Sequence, residues 1–223
     1  MNVIDYKNLI KALPTEDHSF TTERRLWGKY EVDFPEYKDL NNQIFNGNSS
    51  ITLSRNNLFD SALNDSIEIF ILKTYYWGYS NGVRGDNFSN ILDKKNFNNL
   101  VNILTNLKGK NLTILDYEKL ILNVNGIKGL GLSTFSKFLY FLKVKIDGNQ
   151  CVILDRKIIK VISSNIWVEL EELKNDFSET NLTKNFTNYP KYIKTVNSIA
   201  SELSVANDKI ELFLFLFGQN LKK

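Results

Sequence analysis

Apolar residues recur at three- and four-residue spacing along most of this chain, and little interrupts that period. Leu132, Phe135, Phe138, Leu139 and Leu142 form one stripe, and Phe97, Leu100, Val101, Ile103 and Leu104 form another. Residues so spaced share one face of a helix, which must be buried against other helices. Proline, which would break such helices, occurs only at positions 14, 35 and 190. No alternating apolar and polar run competes, so the pattern predicts a mainly α class with about eight or nine helices.

The stripes place helices over Met1–Leu13, ended by Pro14, and over Asp65–Tyr76, Asp93–Leu107 and Leu132–Leu142. Asp116 is expected to cap a helix running to about Val124. Asp155–Leu173 reads as one continuous helix, and Pro190 as the first residue of a helix to Leu203. Ser204 or Asn207 is expected to cap a last helix ending near Gly218, with Lys222 and Lys223 as a frayed tail. From residue 15 to 54 no period persists, and this segment reads as irregular or accessory, with room for short helices or strands. The whole, residues 1–223, is expected to form a single α-helical domain.

A chain of 223 residues buries enough apolar surface to need no staple. With one Cys and one His it has no disulfide framework and no Cys/His metal cage, and no metal site is expected. His18 lies in a polar stretch away from the chemical-looking motifs, which argues against a Ser-His-Asp or Cys-His mechanism. No run of eighteen apolar residues and no signal-type segment occurs, so no membrane partner and a cytoplasmic location are expected. The formal charge, 28 − 25 = +3, is compatible with a polyanion partner.

The most informative stretch runs from Leu120 to Lys160. One helix ends, the turn Ile127-Lys128-Gly129-Leu130-Gly131 follows, and a new helix starts near Leu132. Two glycines one residue apart permit positive φ and close approach of another backbone. The amides of Gly129, Gly131 and the following first turn can bind an anion, aided by the positive end of the helix dipole. Lys128, Ser133 and Lys137 stand near enough to add contacts. Further on, the apolar run Cys151–Leu154 ends in Asp155 at a predicted helix start, the place of a plain N-cap.

Turn, amphipathic helix, loop and carboxylate in this order resemble the helix-hairpin-helix DNA glycosylase superfamily. The nearest branch is that of the 8-oxoguanine glycosylases and bacterial proteins sharing their fold. The resemblance covers about residues 120–160, with the two-helix motif at about 116–143. It implies that Gly129 and Gly131 grip a backbone phosphate and that the turn carbonyls can hold a monovalent cation, with no other cofactor. It implies that Asp155 is the catalytic carboxylate, stabilising the positive charge that builds on the sugar when an N-glycosidic bond breaks. Bifunctional members carry a nucleophilic Lys two residues after the second glycine, where this chain has Ser133. Lys137, one turn on, can substitute or contact phosphate. The departure favours a monofunctional enzyme with water as nucleophile.

A second constellation is Lys73–Phe88. Three consecutive aromatics, Tyr75, Tyr76 and Trp77, point about 100° apart on a helix, so at least one is expected at a cleft or surface. The following loop, with Asn81, Gly82, Arg84 and Gly85, is expected to be exposed and tightly turned. The resemblance assigns Tyr76 or Trp77 to the pocket for a flipped base, and Asn81 and Arg84 to the orphaned partner base. The resulting expectation is an enzyme that excises a damaged or modified base from double-stranded DNA, in repair or in defence against phage. Two alternatives remain: a non-catalytic helix-hairpin-helix DNA-binding protein, and an all-α protein-interaction domain whose Gly-x-Gly is a mere connection.

Overall fold

The computed structural model describes residues 1–221, the side chain of Leu182 excepted. Lys222 and Lys223, expected to be a tail, lie outside the described residues. After a 3-10 turn at Val3–Tyr6 come α1 (Lys7–Ala12), β1 (Ser19–Glu23), α2 (Arg24–Gly28), α3 (Pro35–Phe45), β2 (Ser50–Ser54), α4 (Arg55–Asn64), α5 (Ile67–Gly78), α6 (Asn87–Leu92) and α7 (Lys94–Thr105). Next are β3 (Asn111–Leu112), α8 (Ile114–Val124), α9 (Leu132–Phe141), β4 (Lys145–Ile146), β5 (Asn149–Gln150) and α10 (Arg156–Ser163). A 3-10 segment, Val168–Leu173, precedes α11 (Leu182–Leu203) and α12 (Asn207–Phe217). The class is mainly α. No described helix is long and apolar enough to cross a membrane.

The chain divides into two compact units. The first holds Met1–Thr15, Gly109–Ile121 and the described part of Gly131–Lys223; the second holds Glu16–Lys108 and Leu122–Leu130. Residues 16–54, without period in the sequence, are an ordered part of the second unit. There β1 and β2 pair antiparallel, with Phe20 opposite Leu53 and a Thr21–Thr52 hydroxyl contact of 2.7 Å. These strands fall in the segment that carried no period, where no alternating run announces them. Five residues rich in Ser and Thr, with only Thr22 and Leu53 buried, leave no apolar alternation to read.

Helix α5 is the core of the second unit, packed by α3, α4, α7 and both strands of that sheet. A helix apolar all round is stable only when enclosed. Its enclosure overturns the expectation for Tyr75, Tyr76 and Trp77, which are 1%, 0% and 4% exposed. Neighbouring elements on several sides, rather than one, accept the three rings.

In the first unit, Asp116 is not the N-cap of α8 but its third residue. Thr113 Oγ1 accepts the Asp116 N–H at 3.1 Å, and Asp116 Oδ2 accepts the Thr113 N–H at 3.3 Å, a reciprocal capping box. The Thr113 hydroxyl also donates to Asp116, and these bonds hold that carboxyl below its usual range. The expected Asp155–Leu173 helix stops at Ser163, where Ser163, Ser164 and Asn165 favour a turn and Asn165 adopts φ +53°. The helix expected to open at Pro190 starts at Leu182, capped by Asn181, and runs through the proline. Proline leaves the carbonyl four residues earlier without its helical donor. That carbonyl, Phe186 O, accepts the Tyr117 hydroxyl at 2.9 Å, which explains how the break is tolerated. Ser204 ends α11 in a left-handed conformation, and Ala206 rather than Asn207 precedes α12.

Candidate functional site

Between α8 and α9 the chain crosses in residues 125–131. In the second unit, Gly129 takes φ +88°, and a β-carbon built on it would stand 2.4 Å from the Asn87 carbonyl oxygen. Only glycine permits so close a backbone approach. Asn87 directly follows the loop of residues 79–86, so this turn and that loop, separate in sequence, meet at Gly129. The loop is exposed at Asn81 and Arg84, and both its glycines, Gly82 and Gly85, have positive φ. Lys128 is exposed.

Gly131, in the first unit, behaves differently. Its φ is −98°, contrary to the positive φ anticipated for the pair, and nothing lies within 4 Å of a β-carbon placed there. It is the N-cap of α9 and offers no side-chain cap. The first amides of a helix lack an acceptor one turn back, and an uncapped end leaves those of Leu132 and Ser133 to an external one. The Gly131 carbonyl accepts the N–H groups of Thr134 and Phe135, which orients that end.

One turn into α9, Lys137 is 5% exposed. Its Nζ donates to the Ser133 carbonyl at 2.8 Å and to Ser133 Oγ at 3.0 Å. The idea of Lys137 as a solvated phosphate contact is therefore corrected: its amino group is folded back against the first turn of α9. Burial of an ammonium is tolerated because these oxygens replace water. Ser133 is half-buried.

Asp155 is half-buried, extended, and caps α10 through its Oδ1, which accepts the Ile158 N–H at 3.0 Å. Among the described residues no hydrogen-bond or ion-pair partner of Oδ2 occurs. Behind it, the Leu154 N–H donates to Ser136 Oγ of α9 at 3.0 Å. Thus one side chain of α9 touches the residue preceding the carboxylate. Ser136 carried no signal in the sequence, nor did Tyr189 and Tyr192, which hold the same segment. Each reads as an ordinary member of a helical apolar face.

The family model described as "Putative 8-oxoguanine DNA glycosylase OGG-like protein" matches residues 14–215. The chain belongs to this OGG-like family. Its match extends well beyond the forty-residue stretch that carries the sequence resemblance and takes in both units. No curated protein and no solved structure matches the chain. Membership of a glycosylase family implies DNA as the partner.

Two site residues expected in this OGG-like chain, Tyr76 and Trp77, are buried. Tyr76 donates from its hydroxyl to Asn41 Oδ1 at 2.6 Å and lies 2.8 Å from the Tyr37 hydroxyl. Burial pushes its ionisation well above the usual tyrosine range. Trp77 donates to the His18 carbonyl at 3.3 Å and meets His18 and Phe20 edge-on. Both rings are committed to the core of the second unit. Among the described residues no cluster of three or more His, Cys, Asp or Glu is arranged to hold a metal ion.

Proposed function

We propose that the chain is a DNA glycosylase that flips a damaged or modified base out of duplex DNA and hydrolyses its N-glycosidic bond, leaving an abasic site. The observation that carries the reading is Asp155: a half-buried carboxylate with one oxygen tied to the Ile158 amide of α10 and the other uncommitted. As the bond between the sugar C1′ and the base nitrogen lengthens, positive charge builds on the sugar. A fixed carboxylate stabilises that charge in a low-dielectric setting. Water adds to C1′ and gives its proton to Asp155, while the base leaves with the bonding electron pair and takes up a proton. The uncapped amides of α9 at Gly131 suit a phosphate of the DNA backbone, and Lys128 adds charge. Asn81 and Arg84 are assigned to the orphaned partner base. The turn carbonyls of Val124 and Ile127 each accept one N–H and keep a second lone pair. Such oxygens fit a monovalent cation, which would stiffen the turn.

Base release tests the reading. The protein is incubated with duplexes carrying 8-oxoguanine, uracil, alkylated bases or modified cytosines, and with modified phage DNA, and free base is read by mass spectrometry. Asp155→Asn retains an N-cap oxygen, so stability should change by no more than a few tenths of a kcal/mol. It should abolish release while keeping or tightening duplex affinity. Release that survives Asp155→Asn refutes the assignment. Lys128→Ala should lower the salt slope of binding by about one.

A second reading rests on Lys137. Its Nζ lies at the first turn of α9, against Ser133, where bifunctional relatives carry their nucleophile. Borohydride trapping of a covalent DNA complex, lost in Lys137→Ala, would establish strand-nicking chemistry; no trapping removes it.

A further inference from the structure

The residues that lead into Asp155 have an unusual backbone situation. Cys151, Val152, Ile153 and Leu154 are at most 3% exposed, yet they belong to no helix or strand. Buried backbone groups outside regular structure must find partners individually. Here side-chain hydroxyls supply three of the partners. Asn197 of α11 brackets Gln150, accepting its N–H at 3.1 Å and donating to its carbonyl at 3.1 Å. The Cys151 N–H reaches Val144 O at 3.0 Å. Tyr189 and Tyr192, three residues apart on one face of α11, donate to consecutive carbonyls: Val152 O at 2.7 Å and Ile153 O at 3.0 Å. Ser136 then accepts the Leu154 N–H and donates to Ser133 O at 3.3 Å.

We infer that Ser136 and Tyr192, with Tyr189 behind them, are positioning residues that set the direction of the Asp155 carboxylate. The inference rests on the glycosylase reading for its catalytic consequence. The reasoning is geometric. A segment held by a sheet ladder is located by many equivalent bonds, so losing one shifts it little. This segment is located by single side-chain hydroxyls, of which two fall on the two residues before Asp155. Both tyrosines and Ser136 are fully buried, so their bonds do not exchange freely with water. Both bonds hold the 153–154 peptide, one peptide before Asp155, and removing either loosens it while taking away only a hydroxyl oxygen. Misplacement of a reacting group by about 1 Å lowers a rate by about 10²-fold.

The experiment compares Tyr192→Phe and Ser136→Ala with Tyr117→Phe, which removes another buried tyrosine-to-carbonyl bond, at Phe186, and keeps the ring that packs near Tyr189. The first readout is hydrogen exchange at the Ile158 amide, whose acceptor is Asp155 Oδ1. Tyr192→Phe and Ser136→Ala should accelerate it by about tenfold or more relative to Tyr117→Phe. The second is single-turnover base release, expected to fall about 10- to 100-fold while the duplex Kd stays within about twofold. Ile158 exchange that is unchanged, or that rises equally in Tyr117→Phe, overturns the inference. So does a loss of release matched by an equal loss of affinity and thermal stability. A wild-type protein that releases no base defeats the glycosylase reading instead, and the exchange comparison still decides whether these hydroxyls position Asp155.

Discussion

Gly129 and Gly131 look equivalent in the sequence, and the structure predicts opposite outcomes when each becomes alanine. At Gly129 the backbone has φ +88°, which costs an L-residue about 1–2 kcal/mol. The new methyl would also stand 2.4 Å from Asn87 O and 3.1 Å from its carbonyl carbon. Relieving that contact means moving the half-buried Gly129 backbone away from that of exposed Asn87, about 1–3 kcal/mol by analogy with overpacked cores. The sum is about 2–5 kcal/mol, or a Tm lower by about 4–20 °C for a chain of this size. At Gly131 the φ of −98° suits alanine and no atom lies within 4 Å. Alanine there gains about 0.4–1 kcal/mol by restricting the unfolded chain. It loses about as much because it is a poorer N-cap than glycine. Stability should therefore hardly change. A phosphate seated on the α9 amides would nonetheless meet the methyl, so duplex affinity should fall about tenfold or more, about 1.4 kcal/mol or greater. Thermal unfolding and fluorescence anisotropy on one duplex read both effects. An unaltered Tm for Gly129→Ala would refute the argument from the Asn87 contact. Full affinity in Gly131→Ala would remove the phosphate from that helix end.

Tyr117→Phe should destabilise the protein by about 1–3 kcal/mol, because it leaves the Phe186 carbonyl buried and unsatisfied. Pro190→Ala restores the missing helical N–H, so the same Tyr117→Phe change should then be milder; additive effects in urea unfolding would show that the hydroxyl does not serve that carbonyl. The Cys151 thiol is pushed up to about 12 by burial, with a hydrogen bond from Tyr189 opposing. Its folded pKa lies above its unfolded value of about 8.5, so this contribution to stability is full below that value and is lost as pH rises toward 12. Accordingly, an aromatic disulfide reagent at pH 8 should label Cys151 only on unfolding; rapid labelling of the native protein would contradict the burial.

How far the sequence could be read follows from where each signal resides. A single-faced helical stripe such as that of α7, where Leu100 and Leu104 alone are buried, was legible because one neighbouring surface creates the period. Helix α5 misled for the opposite reason: enclosed on several sides, it has no outward face, so three adjacent aromatics are all core. The β1–β2 pair left no trace because its register is set by exposed Ser and Thr. Pro190 marked a helix start by local rule, whereas Tyr117, distant in sequence, satisfies the carbonyl that the proline orphans. Asp155 stood out because a carboxylate ending an apolar run breaks the local pattern. The hydroxyls that hold its segment did not, since a buried tyrosine and a serine in a helix are compositionally ordinary.

Two helix ends in the first unit meet the same electrostatic requirement in different ways, and the difference bears on where DNA touches the protein. Each presents unsatisfied amides and a partial positive charge. At α10 the chain answers with its own carboxylate, so Asp155 repels a phosphate from that end while being held there by the Ile158 amide. At α9 it answers with Gly131, which has no side chain to offer and open space beside it. On the proposed function, an anionic backbone would be directed to α9 and away from α10. If Asp155 were only a cap, a serine or asparagine would satisfy the α10 amides equally well, without a negative charge on a DNA-facing protein. The carboxylate is intelligible at that position when the group brought to it is a sugar acquiring positive charge rather than a phosphate.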